Sequence, residues 1–162
     1  MLFRKIMWVS LCAIMLLLSA CGEKSEVAAP DLGELYSLAL DAYMPVDEGL
    51  NGGMKYIAID MSNLKDLDGA DKGQILDHFK TYKVDVMEAT YEQLEAKGLF
   101  NKNTLSLDGI LLKVDKAELT ERQLIVEGSK YRSGDGAIGM KVVVELKDGE
   151  WQVKKADMTW IS

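Results

Sequence analysis

Cysteine is almost missing from this chain of 162 residues, and none occurs after position 21. The two that exist are Cys12 and Cys21. Disulfide bonds, zinc–thiolate sites and a thiol nucleophile are therefore excluded from residues 22–162 by count alone. A domain built from those residues must be held together by its hydrophobic core.

Histidine and positive charge are also scarce. His78 is the only histidine, and one histidine beside an apolar helical stripe is typical of a packed residue rather than a base or a ligand. The motifs G-x-S-x-G, G-x-x-x-x-G-K-[ST], H-E-x-x-H and G-x-G-x-x-G are absent. The sequence thus offers no catalytic motif, metal-ligand set or cofactor site. This favours a non-enzyme, and carboxylate chemistry is the one enzymatic alternative that the residues leave open.

The charge balance also excludes one class of partner. The chain carries 26 acidic and 19 basic side chains, with a formal net charge of −7. Nucleic-acid binding requires a basic surface, so no nucleic-acid partner is expected. An acidic surface favours a soluble domain or one that meets a cationic partner.

The first twenty-two residues carry the strongest pattern that is present. Arg4 and Lys5 give a positive start, residues 6–18 are almost entirely apolar, and the segment ends in Leu-Ser-Ala-Cys-Gly. A positive start, a short apolar run and small exit residues are typical of a secretory signal. The run is shorter than the ~20 apolar residues of a membrane span, which disfavours the alternative of an uncleaved anchor.

The tetrad that ends at Cys21 resembles the lipobox of bacterial lipoproteins, in which diacylglycerol is attached to the cysteine and the peptide is cut just before it. The resemblance implies a signal peptide over 1–20, a lipidated Cys21 with a tether over 21–31, and one domain over 32–162. Two acyl chains suffice for stable anchoring. The expected location is the extracytoplasmic face of the cell membrane, with the diacylglycerol as the membrane contact.

Helical patterns dominate the first half of the domain. Apolar spacing predicts a helix from about Leu32 to Met44, with Asp31 and Glu34 as a capping box. A strand is predicted over 55–60, a second helix carries Ile75 and Phe79 with its cap at Asp71 and Gln74, and a second strand covers 84–87. Two strands joined through a helix pair in parallel. A capping box at Thr90 and Gln93 begins a third helix, which ends at Gly98.

The last third reads as four strands, over 110–119, 124–131, 137–146 and 150–160. Asp148-Gly149 is a strong hairpin signal. Alternation places one set of side chains on a buried face, namely Ile138, Met140, Val142, Val144 and Leu146. We expect this face to pack against the helix carrying Ile75 and Phe79, and a bulge near Lys154 to reconcile the register of the last strand. The predicted class is α+β: helices and a short strand pair first, then a four-stranded antiparallel meander.

Two loops invite a ligand. The acidic loop 63–71 suggests calcium, but an EF-hand that starts at Asp66 would have Ala70 at position 5, so we predict a helix-capping loop instead. Tyr131 and Arg132 precede a glycine hairpin, and arginine suits bidentate recognition of carboxylate or phosphate. We take these two residues as candidate ligand-binding residues, beside the alternative of an exposed arginine in a simple hairpin.

Two tryptophans lie in the last strand. Trp151 and Trp160 are expected to pack on the sheet. If Trp160 lies on an exposed face, it becomes a candidate for an interface.

The tail Lys-Asp-Gly-Glu-Trp-Gln-Val at 147–153, together with the lipobox, resembles small extracytoplasmic lipoproteins of Gram-positive bacteria. The late sheet is similar to nuclear-transport-factor-like and cystatin-like domains. The resemblance implies a non-enzymatic accessory or binding domain with a protein or peptide partner. The alternative is the solute- or peptide-binding component of a transporter.

Overall fold

A mixed seven-stranded β-sheet organises the protein in the computed structural model, which describes residues 29–162. The strands in chain order are β1 (Tyr56–Asp60), β2 (Asp85–Glu88), β3 (Phe100–Asn101), β4 (Ser106–Leu119), β5 (Gln123–Ser133), β6 (Gly136–Lys147) and β7 (Glu150–Ile161). Their order across the sheet is β2-β1-β4-β5-β6-β7, with the short β3 beside β4. Because helices accompany this sheet, the predicted α+β class agrees with the structure.

Within residues 29–162, three helices begin at side-chain caps. They are α1 (Leu32–Asp41), α2 (Gly69–Phe79) and α3 (Tyr91–Ala96), and 3₁₀ turns follow at Glu48–Asn51 and Lys80–Tyr82. The Asp31 carboxylate accepts the Glu34 N–H at 2.9 Å, and Thr90 with Gln93 forms the predicted capping box. For α2 the predicted cap was wrong: the box is formed by Asp68 and Asp71, so the helix begins three residues earlier.

The parallel part of the sheet is built around β1. This strand pairs in parallel with β2 on one side and with β4 on the other. The predicted parallel pair is therefore confirmed. It does not form a separate unit before the late strands, however, but belongs to the same sheet as they do. The sequence prediction also missed β3, which pairs with the first residues of β4 and lengthens that strand towards Ser106.

Antiparallel pairing joins β4 to β5, β5 to β6 and β6 to β7. The turn between β6 and β7 places Asp148 at φ 54° and Gly149 at φ 88°. These left-handed values are those of a two-residue hairpin that matches the twist of its strands. Along β6 and β7 the partner of Val143 is Lys155 and the partner of Val144 is Val153, so Lys154 is the extra residue of a bulge, where the sequence predicted one.

Two hydrophobic clusters fill the two faces of the sheet. The larger one joins α1 and α2 to the sheet, and the smaller one joins α3 to β1, β3 and β4. Four of the five residues of the predicted buried face of β6 belong to the larger cluster, namely Ile138, Met140, Val142 and Val144, whereas Leu146 is only partly buried and lies outside it. The main helical cover of this face is α1, however, and not the predicted helix with Ile75 and Phe79, which contacts α1 and β2. The reason is topological: α2 connects β1 to β2 and must lie over that end of the sheet, whereas β6 lies near the opposite edge.

The predicted signal peptide and Cys21 lie outside the described residues. Within residues 29–162, no helix combines the length and the apolar character needed to cross a membrane.

Candidate functional site

The most distinctive site lies where the parallel strands β1 and β2 end. After β1 the chain turns to α2, which packs on one face of the sheet, and after β2 it turns to α3, which packs on the other face. When the connections after two adjacent parallel strands run to opposite faces of the sheet, a crevice forms outside the carboxyl ends of those strands. Such crevices are the usual ligand sites of open parallel sheets.

A cavity of about 350 Å³ occupies this position. Its wall comes from the end of β1, the end of β2 and the first turn of α3. The lining residues are Asp60, Met61, Ser62, Glu88, Ala89, Thr90 and Gln93. Most of these side chains are polar, so the cavity suits a small polar ligand rather than an apolar one.

Asp60 is the buried charge of the cavity. Only 5% of the residue is exposed. Its Oδ1 accepts the Ser62 N–H at 3.0 Å, and no lysine, arginine or histidine of the described residues lies within ion-pair distance of the carboxylate. A buried carboxylate without a contacting cation is costly, and a cationic ligand would remove that cost.

The cation that lies opposite Asp60 in the strand register is paired with another carboxylate. Lys113 is the register neighbour of Asp60 on β4, but its Nζ lies 2.8 Å from Asp115 Oδ1. The hydrogen bond that Lys113 donates to Asp115 raises the pKa of Lys113, and the charges of Asp115, Asp60 and Glu92 add to this shift. Lys113 therefore stays charged, and its ion pair is formed with Asp115 and not with Asp60.

The opposite wall of the cavity is rigid and can offer donors. Thr90 Oγ1 accepts the Gln93 N–H at 3.3 Å, and Gln93 Oε1 accepts the Thr90 N–H at 3.0 Å. This reciprocal pair fixes both side chains. Glu88 at the rim forms a 2.7 Å ion pair with Lys72 of α2, which ties the rim to the helix face. The arrangement can bind and orient a ligand.

The two candidate ligand-binding residues from the sequence lie apart. Arg132 Nη1 donates to the carbonyl oxygens of Leu50 and Gly52 at 3.0 and 3.1 Å, so it holds the glycine-rich loop. Tyr131, the next residue of β5, donates its hydroxyl to the Leu105 carbonyl at 2.7 Å. It packs edge-on against Tyr91 in the cluster on the α3 face. Each side chain is bound to backbone of its own domain, and a ligand role for either stays a prediction.

A buried lysine anchors the same loop. Lys130 is fully buried, and its Nζ donates to the carbonyl oxygens of Met44, Val46 and Asp47 and to Asn51 Oδ1, at 2.5 to 3.2 Å. Burial lowers the pKa of Lys130 to about 8, although the charges of Asp47 and Glu48 oppose the shift. The ammonium thus serves as a cation inside an oxygen cage that shapes residues 44–51.

The remaining sequence candidates have structural partners. Asp68 accepts the N–H groups of Ala70 and Asp71 at the start of α2, which is the predicted capping role for the acidic loop. His78 Nε2 lies 3.5 Å from Asp41 Oδ1, and the same oxygen accepts the Tyr82 hydroxyl at 2.6 Å. Among residues 29–162, no three histidine, cysteine or acidic side chains are grouped so that they could hold a metal ion.

The sequence prediction did not identify Asp60 or Lys130 as functional or buried charged residues, although a sequence feature points to each of them. Asp60 follows the apolar run of β1 directly, at the position where a parallel strand delivers a side chain to a ligand. Lys130 shares its parity with Leu124, Val126 and Gly128, which are all buried. A lysine on the buried face of an alternating strand predicts a buried cation with oxygen partners.

Comparisons with protein-family models, with curated proteins and with solved structures found no match for this chain.

Proposed function

We propose that this chain is a non-enzymatic binding domain, held by a lipid on Cys21 at the outer face of the cell membrane, and that its ligand site is the cavity at the carboxyl ends of β1 and β2. The location rests on the sequence pattern of the first twenty-two residues. The binding role rests on one observation above all: Asp60, a residue with only 5% of its surface exposed, lines a polar cavity and forms no ion pair with a cation of the described residues.

The chemistry of the cavity favours a ligand with a compact cationic group. An ammonium or guanidinium group would pair with the Asp60 carboxylate, and such charge-assisted hydrogen bonds are about twice as strong as neutral ones. The side chains of Ser62 and Gln93 line the same space and can bind a second polar group. Amino acids, short peptides with a free amino terminus and polyamines carry these features together.

The test uses simple cationic probes with the purified protein. Putrescine, agmatine and L-lysine methyl ester should raise the melting temperature, because a ligand at 100 times its dissociation constant stabilises the folded state by about 2.7 kcal/mol. Acetate and glutarate, which are anionic, should have no such effect. The variant Asp60→Asn should lose most of the response while keeping the fold, since asparagine can still accept the Ser62 N–H.

Asp66→Asn is the matched control. Asp66 is exposed in the loop before α2 and does not line the cavity. The proposal fails if none of the cations stabilises the protein, or if Asp60→Asn and Asp66→Asn respond to the probes alike.

The alternative from the sequence, a solute- or peptide-binding component of a transporter, would use the same cavity. It differs in one respect: the ligand would be handed to a membrane protein. Uptake of a cationic solute by cells that lack the chain decides between the two roles, because only the transport role predicts that uptake falls.

A further inference from the structure

The outer edge of the sheet is an exposed, partly apolar strand. β7 is twelve residues long and lies last in the sheet order, so its outer side pairs with no strand of the described residues. Four of its large apolar side chains are between 39% and 68% exposed, namely Val153, Met158, Trp160 and Ile161. A long apolar edge is a template for pairing with another strand.

The charges that commonly protect such an edge are bound within the protein. Lys154, the extra residue of the bulge, places its Nζ 2.6 Å from Glu145 Oε2 on β6. Lys155 and Asp157 pair with each other at 2.6 Å along β7. The side chains of Lys154 and Lys155 nevertheless stay 54% and 64% exposed, so the edge favours a partner strand that places an acidic group opposite Lys155.

The pairing with β6 defines which face each β7 side chain takes. Ala156, Met158 and Ile161 lie opposite Val142, Met140 and Ile138, which are buried on the helix side of the sheet. Asp157 and Trp160 lie opposite Lys141 and Gly139, on the other side. Trp160 covers Gly139 so closely that a Cβ atom there would come within 2.1 Å of the indole Nε1.

Counted outwards from Ala156, the two halves of β7 show the same alternation of side chains between the two sides of the sheet. Towards the carboxyl end, Asp157, Met158, Trp160 and Ile161 alternate between the open side and the helix side. Towards the amino end, Lys155, Val153, Gln152 and Trp151 alternate in the same way. The bulges at Lys154 and Thr159 supply the skipped residue in each half. A twofold rotation about Ala156 therefore places each half of β7 opposite the other half, with side chains of the same side of the sheet facing each other.

We propose that β7 pairs with β7 of a second copy of this chain, antiparallel about a twofold axis at Ala156. On the helix side, Met158 would then lie opposite Val153 of the second copy, and Ile161 opposite Trp151. On the open side, Asp157 would lie opposite Lys155 of the second copy, so the ion pair within each strand is exchanged across the axis. Because the axis repeats every contact, one surface satisfies both copies, as in other isologous dimers. An unrelated strand would have to match this pattern of charge and apolar residues without the help of symmetry.

A disulfide across the axis tests the pairing in the full-length chain. Directly opposed residues of antiparallel strands have Cα atoms about 4.5–5.5 Å apart, which a disulfide can span. With a mild oxidant added to the cell fraction that contains the protein, Ala156→Cys should form a covalent dimer as the main product. The parent chain and Glu121→Cys, an exposed site in the turn between β4 and β5, are the controls and should stay mostly monomeric.

Charge exchange then tests the register. In the Ala156→Cys background, Asp157→Lys places lysines opposite lysines, and Lys155→Asp places aspartates opposite aspartates. Each should reduce the cross-linked fraction at least several-fold on its own. Co-expression of the two variants should restore it, because every pair across the axis is again of opposite sign, and this recovery also shows that both variants fold. The proposal is overturned if Ala156→Cys cross-links no better than Glu121→Cys, or if co-expression restores nothing.

Discussion

A buried hydroxyl group without a partner makes Tyr43 the clearest test at the scale of single residues. The side chain is fully buried, and its hydroxyl has no hydrogen-bond partner among the described residues. Burial also raises the pKa of Tyr43 far above its usual value, as does the charge of Asp115. An unsatisfied buried polar group costs ~1–3 kcal/mol. Tyr43→Phe should therefore leave the free energy of unfolding unchanged or raise it by about 1 kcal/mol.

Tyr82→Phe is the matched comparison and should have the opposite sign. The Tyr82 hydroxyl donates to Asp41 Oδ1 at 2.6 Å, so its removal should lower stability by about 1 kcal/mol. Urea unfolding of both variants measures the difference. A clear loss of stability in Tyr43→Phe would show that this hydroxyl has a partner in solution.

Lys130 is the residue on which the loop 44–51 depends. Lys130→Met keeps most of the buried volume but removes the lysine donor from three carbonyl oxygens and one amide oxygen. The Met44 and Asp47 carbonyls keep a second donor, from Asn51 Nδ2 and the Leu50 N–H, so the loss falls mainly on Val46 O and Asn51 Oδ1. We expect a loss of about 2–4 kcal/mol in the free energy of unfolding. Lys141→Met, which removes a half-exposed ion pair with Glu127, should cost less than about 1 kcal/mol. Equal losses in the two variants would contradict the buried role.

The lowered pKa of Lys130 adds a pH dependence with a defined sign. The folded protein releases this proton near pH 8, whereas the unfolded chain holds it until its ordinary pKa of 10.5. Between these values the unfolded state binds more protons, so stability rises with pH. The advantage of the parent over Lys130→Met should thus grow by roughly 1–3 kcal/mol from pH 8 to pH 10.5. An advantage that stays flat over this window would show that the ammonium keeps its ordinary pKa.

At the scale of elements, strand β6 allows the sharpest prediction. Val142 is fully buried between Val126 of β5 and Ala156 of β7, on the face covered by α1. Its neighbour Val143 lies on the opposite face and is only partly buried. Val142→Ala should lower the free energy of unfolding by about 1–3 kcal/mol, through lost burial and a residual cavity.

Val143→Ala is the control for that register, and it should lower the free energy of unfolding clearly less than Val142→Ala does. A shift of one residue would move every side chain of β6 to the other face and reverse the order. Denaturant unfolding of the two variants decides this. If Val143→Ala is the more damaging, the buried face of β6 is wrongly assigned.

What the sequence predicts well is local. The alternation of β6, the capping box at Thr90, the Asp148-Gly149 hairpin and the bulge at Lys154 depend on neighbours within a few residues, and each is seen in the structure. The helix that covers β6 depends instead on the order of strands across the sheet, and the sequence prediction chose the wrong one. The cavity at Asp60 was missed for the same reason. Its walls come from three elements that only the topology brings together.

At the scale of the whole molecule, the two surfaces of interest lie at different places in the sheet. The cavity lies at the ends of β1 and β2, next to one edge, while the self-matching strand β7 is the other edge. A second copy on β7 would therefore leave the cavity open. Lipid on both copies would add their membrane affinities, since two anchors in one assembly act with a high effective concentration.

Cys21 is expected to be the only attachment point, and this can be tested directly. Cys12 lies in the segment predicted to be removed, and no cysteine follows position 21. Cys21→Ser should therefore abolish incorporation of radiolabelled fatty acid and cause the protein to be released from the membrane or misprocessed. Cys12→Ser, the matched control, should keep both the label and the membrane location. Because the hydrophobic core is built from residues after Cys21, the Cys21→Ser domain should unfold at the same denaturant concentration as the parent domain. Label that still enters Cys21→Ser, or that is lost from Cys12→Ser, would show that the lipidation site is wrongly assigned.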